Sequence, residues 1–191
     1  MSIGTIVKAS RERRGLGQVA LSRLSGVAQP ALSRIESGRQ SPEWGTVEKI
    51  LRATGQQLVA IPSLRDDAAS IADAIRTALS ADDEQRALRL FLQLNDNLVA
   101  EHHEVRFALT IAEPTRTGRR QWDAAIAALV ELRLEEEGLP IPSWVTSADR
   151  RLKREWVFGA GPYVTPVGIS ASPEPFARRR IALDPSDLVS V

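Results

Sequence analysis

The feature that most constrains the fold is a pair of short helical patterns separated by a glycine. Residues 18–25, QVALSRLS, and residues 29–36, QPALSRIE, each place apolar residues about one helical turn apart. Gly26 lies between them, and glycine readily adopts the positive φ that a tight helix–helix junction needs. Pro30 falls in the first turn of the second pattern, where its missing N–H has no intrahelical partner anyway. The proline therefore marks the start of a helix and does not interrupt one.

Two further helices and a strand complete an N-terminal domain that we place over residues 1–62. The first helix runs from Ile3 to Arg14, and the fourth follows Ser41 as its N-cap, with Pro42 as its first residue. Residues 56–62, QQLVAIP, are β-prone and end in a proline, which predicts one short strand. The residues expected to be buried are Ile3, Ile6, Val7, Val19, Leu21, Leu24, Leu32, Ile35, Trp44, Val47, Ile50 and Leu51.

The rest of the chain is predicted to be helical up to residue 158 and irregular beyond it. Amphipathic or alanine- and leucine-rich patterns predict helices over residues 67–79, 83–101, 119–137 and 149–158. Residues 159–191 are rich in glycine, proline and serine, with a candidate strand over 180–183 and one helical turn over 185–189. The fold class is therefore mainly α, with an α-helical C-terminal domain over residues 63–158 and an irregular tail over residues 159–191.

The composition and termini exclude several classes of site. The chain has no cysteine, which rules out disulfides, thiolate zinc sites and cysteine nucleophiles. His102 and His103 are adjacent, so on a helix they point about 100° apart and cannot form a His-Glu-x-x-His zinc motif. We expect no catalytic residue, metal or cofactor, and hence no enzyme.

The opening MSIGTIVKASRERRG has no apolar run long enough for a signal peptide or membrane span, so we expect a cytoplasmic, nucleoid-associated protein without a membrane partner.

The charge is segregated along the chain. Residues 1–62 hold nine basic and four acidic side chains, residues 63–141 hold nine and 15, and residues 142–191 hold seven and five. The three regions therefore carry net charges of +5, −6 and +2. A basic N-terminal region on an acidic middle indicates that the first region meets a polyanion and the second does not.

Residues 15–55 resemble the Xre/Cro-type helix-turn-helix domain of bacterial and phage repressors. The residues that carry the resemblance are Gln18, Ser25-Gly26-Val27, Gln29, Leu32-Ser33-Arg34-Ile35-Glu36, Gly38 and Ser41-Pro42. The stretch over residues 15–55 is about a fifth of the chain. The resemblance implies a transcriptional repressor that binds double-stranded operator DNA. The sequence departs from the usual pattern at Ala28, Pro30 and Ser22, so the base contacts are less well defined than the motif itself.

The resemblance also implies which side chains meet DNA. Gln18 would bond a phosphate and brace Gln29, whose amide suits adenine, while Arg34 suits guanine O6/N7. Ser37 and Arg39 follow the helix and suit phosphates, which position the protein without specifying sequence. We expect Glu36 to be an ordinary solvated helix charge that makes an internal salt bridge and does not contact DNA. The predicted DNA-binding residues are Gln18, Gln29, Pro30, Ala31, Ser33, Arg34, Ser37 and Arg39.

A single domain of this type reads few base pairs, so a homodimer on a palindrome is expected, with half-sites about 34–36 Å apart. In HipB-type antitoxins, a strand at this position joins its symmetry mate in a small intersubunit sheet. A lone strand is unstable until it is paired. The predicted dimerisation residues are Gln57, Leu58, Val59, Ala60 and Ile61.

The C-terminal region leaves two hypotheses open. In the first, the protein is the antitoxin of a type II toxin–antitoxin pair, it represses its own operon, and its C-terminal region neutralises a toxin; the candidate contacts are Phe176, Arg178, Arg179 and Arg180. In the second, a stand-alone regulator senses a small ligand in a pocket lined by Trp122, Trp144, Trp156 and Tyr163. Tryptophans at helical positions more often belong to the core, which weighs against the second.

Overall fold

The chain divides into two compact units, Met1–Ala60 and Ile61–Val191, which we call unit 1 and unit 2. The computed structural model describes residues 3–159 and 168–189. The protein is mainly helical, as the sequence predicts. The sequence placed the first boundary at residue 62 and set residues 159–191 apart as a tail. The described tail residues 168–189 instead contribute to the hydrophobic core of unit 2.

Unit 1 contains the four predicted helices. They are α1 (Ile3–Arg13), α2 (Gln18–Ser25), α3 (Gln29–Glu36) and α4 (Trp44–Ala53). Gly26 makes the tight junction between α2 and α3, with a φ of 70° and an N–H that donates to the Ser22 carbonyl at 2.9 Å. The core of unit 1 is small and consists of Val7, Leu21, Leu32, Ile35 and Ile50.

Helices α1 and α3 approach each other closely at Gly4. A Cβ atom at this position would lie 2.2 Å from the Ile35 carbonyl oxygen, a distance that real Cβ atoms do not reach. The absence of a side chain at Gly4 therefore sets the spacing between the two helices.

Several predicted core residues of unit 1 are exposed instead. They are Ile3, Ile6, Val19, Leu24 and Trp44. Helix α2 is eight residues long and buries only Leu21, so the other apolar side chains on it fall outside its narrow inner face. Helix α4 begins at Trp44 with Glu43 as its N-cap, two residues later than predicted, and neither Ser41 nor Pro42 belongs to it.

The predicted strand after α4 is absent from this single chain. Residues 56–62 have no regular secondary structure, and Leu58, Val59 and Ile61 are exposed. A two-stranded sheet needs a second strand to satisfy its backbone hydrogen bonds, and no described segment of the chain pairs with this one.

Unit 2 is built around one buried helix. Its helices are α5 (Ala68–Ser80), α6 (Glu84–Ala100), α7 (His103–Ile111) and α8 (Arg120–Glu135), followed by the short α9 (Glu174–Ala177). Every residue of α8 from Trp122 to Glu131 is buried, which places this helix at the centre of the core. Asp67 and Asp83 cap α5 and α6 by accepting from backbone N–H groups in their first turns.

The helix predicted over residues 149–158 does not form. A 3-10 turn (Ala148–Arg150) is followed by strand β1 (Trp156–Val157), which pairs in parallel with β2 (Ile181–Ala182). The N–H groups of Trp156 and Phe158 donate to the carbonyls of Arg180 and Ala182 at 3.0 and 2.8 Å. This nonlocal pairing supplies hydrogen bonds that a sequence pattern does not reveal.

The C-terminal segment is anchored in the core of unit 2 by Arg179. Phe176 is fully buried and Arg179 is 2% exposed. The Arg179 guanidinium pairs with Glu131 of α8 and donates to the carbonyls of Pro175 and Val145 at 2.8 and 2.7 Å. Phe176 and Arg179 therefore hold the fold together and do not belong to a free partner-binding tail.

Replacing Arg179 with alanine is expected to destabilise unit 2 by about 3 kcal/mol or more, because a buried carboxylate and two carbonyls lose a donor. Urea unfolding followed by tryptophan fluorescence measures the loss, since unit 2 holds three of the four tryptophans. Arg89→Ala, at an exposed position of α6, is the control and should change stability by under about 0.5 kcal/mol. Equal effects of the two substitutions would contradict the anchoring role.

Candidate nucleic-acid interface

The outer face of α3 carries most of the side chains predicted to meet DNA. Leu32 and Ile35 are buried on the inner face of this helix. The exposed predicted residues are Pro30, Ser33, Arg34, Ser37 and Arg39. The half-buried ones are Gln18, Gln29 and Ala31. The structure thus brings all eight residues to α3, the loop after it and the start of α2.

A series of side-chain hydrogen bonds holds the outer face of α3 in place. Gln29 donates from Nε2 to Oε1 of Gln18 at 2.9 Å, which is the predicted brace. Gln18 in turn donates to Glu36 Oε2 at 3.0 Å. Arg11 of α1 donates to both oxygens of Glu36, at 2.7 and 2.9 Å, and to the Leu16 carbonyl at 2.8 Å. The start and the end of α3 are therefore tied to α1 and α2 by one network.

Glu36 is a buried member of an ion pair: the internal salt bridge that was expected is present, and the expectation that the charge is solvated was wrong. The Glu36 side chain is 5% exposed. The hydrogen bond from Arg11 holds the pKa of Glu36 below its ordinary value, against the opposing effect of burial. The same bond raises the pKa of Arg11. The carboxylate form is thus the one that this fold stabilises.

The network leaves Gln29 able to contact a base edge. Only one N–H of its amide is used by Gln18, and no described group donates to its Oε1. An amide with one free donor and a free acceptor matches the N7 and N6 groups of adenine. The Gln18 contact orients this amide and does not occupy it fully.

Arg34 is held in place and keeps its terminal nitrogens free. Its Nε donates to Gln40 Oε1 at 3.0 Å, and no described acceptor engages Nη1 or Nη2. Ser37 donates to the Arg34 carbonyl at 3.1 Å. In the described part of the chain, the side chains of Ser33 and Arg39 make no hydrogen bond or ion pair. These groups are available to an external acceptor.

Lys8 also belongs to this surface, and sequence reasoning did not select it. An open cleft of about 360 Å³ lies beside α3. It is lined by Lys8, Arg11, Gln18, Ser33, Glu36 and Ser37. The available signal was the spacing of Lys8 and Arg11, three residues apart on α1, which puts both on one side of that helix.

The residues predicted to bind a protein partner or a small ligand all belong to unit 2 and do not form one site. Arg178 is ion-paired with Glu131 and Glu135, and Arg180 is exposed. Trp122 and Trp156 line a shared cavity, whereas Trp144 donates from Nε1 to the Thr110 carbonyl at 3.0 Å elsewhere in the core. Tyr163 lies outside the described residues.

Two kinds of structure are absent from residues 3–159 and 168–189. No three His, Asp or Glu side chains converge there as the ligands of a metal ion would. His102 instead bonds Glu137 Oε1 through Nδ1 at 2.7 Å, which lowers the pKa of Glu137. No helix in these ranges is long and apolar enough to cross a bilayer.

Comparison with known proteins supports the geometry of unit 1. A family model described as a helix-turn-helix domain matches residues 2–64. A protein of Haemophilus influenzae named as an uncharacterized HTH-type transcriptional regulator is 42% identical over 53 residues, which are 28% of this chain and 54% of that protein. The chain thus spans about half the length of this relative. No solved structure matches.

Replacing Glu36 with glutamine is expected to destabilise unit 1 by about 3–5 kcal/mol at neutral pH, because Arg11 loses its buried partner. Glu36 has a lowered pKa in the folded state, so its contribution is present above the ordinary carboxyl pKa of about 4.3 and is lost as the pH falls through the lowered value. The difference in the free energy of unfolding between wild type and variant should therefore become smaller as the pH falls. Hydrogen exchange of the α1–α3 amides, compared at equal pH, measures it.

Glu12→Gln is the matched control for this experiment. The Glu12 carboxylate also lies near Arg11, at 3.6 Å, but its side chain is 55% exposed. Solvent screening should limit its effect to about 1 kcal/mol or less. A Glu36→Gln variant as stable as Glu12→Gln would show that the buried pair does not hold α3.

Proposed function

We propose that this chain is a sequence-specific DNA-binding regulator of transcription and that α3 enters the major groove of its operator. The observation that carries the proposal is the outer face of α3. The Arg11–Glu36–Gln18 network orients the Gln29 amide, Gln40 holds Arg34, and both side chains keep free polar groups. The helix-turn-helix match over residues 2–64 and the name of the relative support the same function.

Each side chain of the surface has a chemical task in this proposal. Gln29 contacts adenine, Arg34 contacts guanine with its free terminal nitrogens, and Ala31 packs on a thymine methyl group. Arg39, Ser37 and Lys8 contact phosphates, as the net charge of +5 in residues 1–62 favours. Gln18 is a positioning residue that holds Gln29 and adds a phosphate contact.

We further propose that two copies bind one palindromic operator and repress transcription by occupying it, on chromosomal DNA in the cytoplasm. The exposed Leu58, Val59 and Ile61 support a dimer, because apolar side chains in an unpaired extended segment gain burial when a second copy pairs with them. The residues proposed for this pairing are Gln57, Leu58, Val59, Ala60 and Ile61.

The base contacts can be tested on DNA selected from a random pool by the full-length protein. Arg34→Ala should lose about 1–3 kcal/mol on the selected sequence and relax the preference at one position. Arg39→Ala should weaken selected and random DNA alike and reduce the slope of log K against log salt by about 1. Fluorescence anisotropy titrations at several salt concentrations measure both, and the selected site should be a palindrome with half-sites about one helical turn apart.

Arg52→Ala is the charge-matched control, since Arg52 is exposed on α4 and pairs with Glu48. Its DNA affinity should stay within about twofold of wild type. Equal losses for Arg34→Ala on selected and random DNA would refute base recognition by Arg34. A selected site without two-fold symmetry would refute the dimer.

For unit 2, we propose a protein partner, namely the toxin of a toxin–antitoxin pair whose operon this regulator represses. The support is that unit 2 has its own core and that residues 63–141 carry a net charge of −6, which suits a basic partner. Because Phe176 and Arg179 are buried, the candidate tail residues left for such a contact are the exposed Arg180 and Arg178, which is half-buried and would exchange its ion pairs with Glu131 and Glu135 for the partner.

Co-expression with the product of the adjacent gene tests this role. We expect a stable complex after size-exclusion chromatography and relief of the growth arrest that the partner causes alone. Arg34→Ala should keep the complex while it weakens DNA binding, because the two functions use separate units. An adjacent gene product that neither arrests growth nor co-purifies would contradict the antitoxin role.

One observation favours a second candidate function, the response to a small ligand. Trp122 and Trp156 line a cavity of about 380 Å³ in unit 2. This volume lies in the range of ligand pockets, about 300–1,000 Å³. In this alternative, a ligand bound in unit 2 alters the affinity of the regulator for its operator.

A further inference from the structure

We propose that unit 2 binds a nucleotide, with its base and its phosphates in two adjoining cavities that meet at Trp156. The first, which we call the indole cavity, has a volume of about 380 Å³ and includes Trp122 and Trp156. The second, which we call the basic cavity, has a volume of about 340 Å³. Trp156 and Gln121 line both cavities, so one elongated ligand can occupy them together.

The indole of Trp156 is held as a stacking surface. Its ring lies 6.0 Å from that of Trp122 and 5.3 Å from that of Phe158, at interplanar angles of 57° and 79°. Phe158 is itself packed against Phe91 at 4.5 Å. Trp156 is only half-buried although these rings surround it, so part of the indole stays open to a ligand. A base that stacks on such a ring gains about 1–3 kcal/mol.

The polar groups of the indole cavity match the edge of a base. Glu84, Gln85 and Gln121 line it. No described residue bonds to their side chains. The two amides can donate and accept, and the carboxylate accepts from ring N–H or amino groups, which is the combination that base edges present.

The basic cavity gathers cations that lack internal partners. These are Arg120, Arg151, Lys153 and Arg154, and one carboxylate, that of Glu155, lines the cavity with them. Across residues 3–159 and 168–189, none of their side chains takes part in a hydrogen bond or ion pair. Most arginines of unit 2 behave differently; Arg106, Arg133 and Arg178, for example, are ion-paired with glutamates. Clustered like charges repel one another, and a bound phosphate group relieves this repulsion.

The combination favours a nucleotide over a longer polyanion. The four cations line one cavity of limited volume and are not spread in a stripe, as backbone tracking along a nucleic acid requires. Inorganic phosphate alone would not use the aromatic and amide groups of the indole cavity. The proposal gives a chemical class to the ligand of the second candidate function, on which it rests, and it is independent of DNA binding by unit 1.

The test is a titration of the full-length protein with ATP, GTP, CTP and UTP, followed by tryptophan fluorescence and calorimetry. Parallel titrations with guanosine, adenosine and inorganic tripolyphosphate separate the contribution of the base to the affinity from that of the phosphates. We expect at least one nucleotide to bind more tightly than its nucleoside and than tripolyphosphate. Trp156→Leu should weaken the affinity for that nucleotide by about 5- to 150-fold and reduce the affinity for tripolyphosphate much less, because tripolyphosphate has no base to stack on the indole. Arg151→Ala and Arg154→Ala should weaken both.

Arg65→Ala is the control, because Arg65 is exposed in unit 2 and lines neither cavity; its affinity should match wild type. If the Trp156→Leu variant does not fold, Gln121→Ala tests the contact with the base instead. Equal binding of tripolyphosphate and nucleotide, unaffected by Trp156→Leu and Gln121→Ala, would overturn the proposal, as would binding of an RNA oligonucleotide without any nucleotide binding. Nucleotide binding that leaves operator affinity unchanged would support the site and count against ligand sensing.

Discussion

The face of α3 that we propose to contact DNA depends on one buried ion pair, Arg11–Glu36. Two charges removed from water are stabilised only if their hydrogen bonds are well made, and here Arg11 contacts both carboxylate oxygens while Gln18 contacts one of them. Gln18 extends the same network to Gln29 at the start of α3. The close approach at Gly4 places α1 where Arg11 can reach Glu36. Polar side chains thus fix the direction of a helix that has only two buried apolar residues.

Unit 2 uses buried arginines in a related way. Arg179 connects the C-terminal segment to the central helix α8 through Glu131. Arg150 is fully buried and stacks over Trp144 at 5.1 Å, and its guanidinium donates to the Pro114 carbonyl at 3.1 Å. Burial lowers the pKa of both arginines. The two units therefore differ in what their buried charges achieve: in unit 1 they orient a surface, and in unit 2 they tie distant segments of the chain together.

The sequence predicted the helices well because their signals are local. Spacing of apolar residues gave α1–α3, α5, α6 and α8 to within a few residues, and the Gly26 junction followed from backbone geometry. The sequence predictions were wrong where a residue far away in the sequence determines the local structure. The pairing of Trp156 with Ile181 replaced a predicted helix, and Glu131 drew Arg179 into the core. For the site, all eight predicted residues lie on or beside the α3 face. The spacing of Lys8 and Arg11 only hints at the place of Lys8 beside α3, and the burial of Glu36 follows from tertiary contacts alone.

The parallel pairing of β1 with β2 has a consequence for the order in which the protein matures. Unit 1 ends at Ala60, whereas the core of unit 2 includes Ile181 and Leu188. At a synthesis rate of about 5–20 residues per second, the last residues of the unit 2 core are added roughly 6 to 26 s after unit 1 has been synthesised. A nascent chain can thus present a complete α3 while the aromatic core beside Trp156 still lacks the C-terminal residues that pack against it.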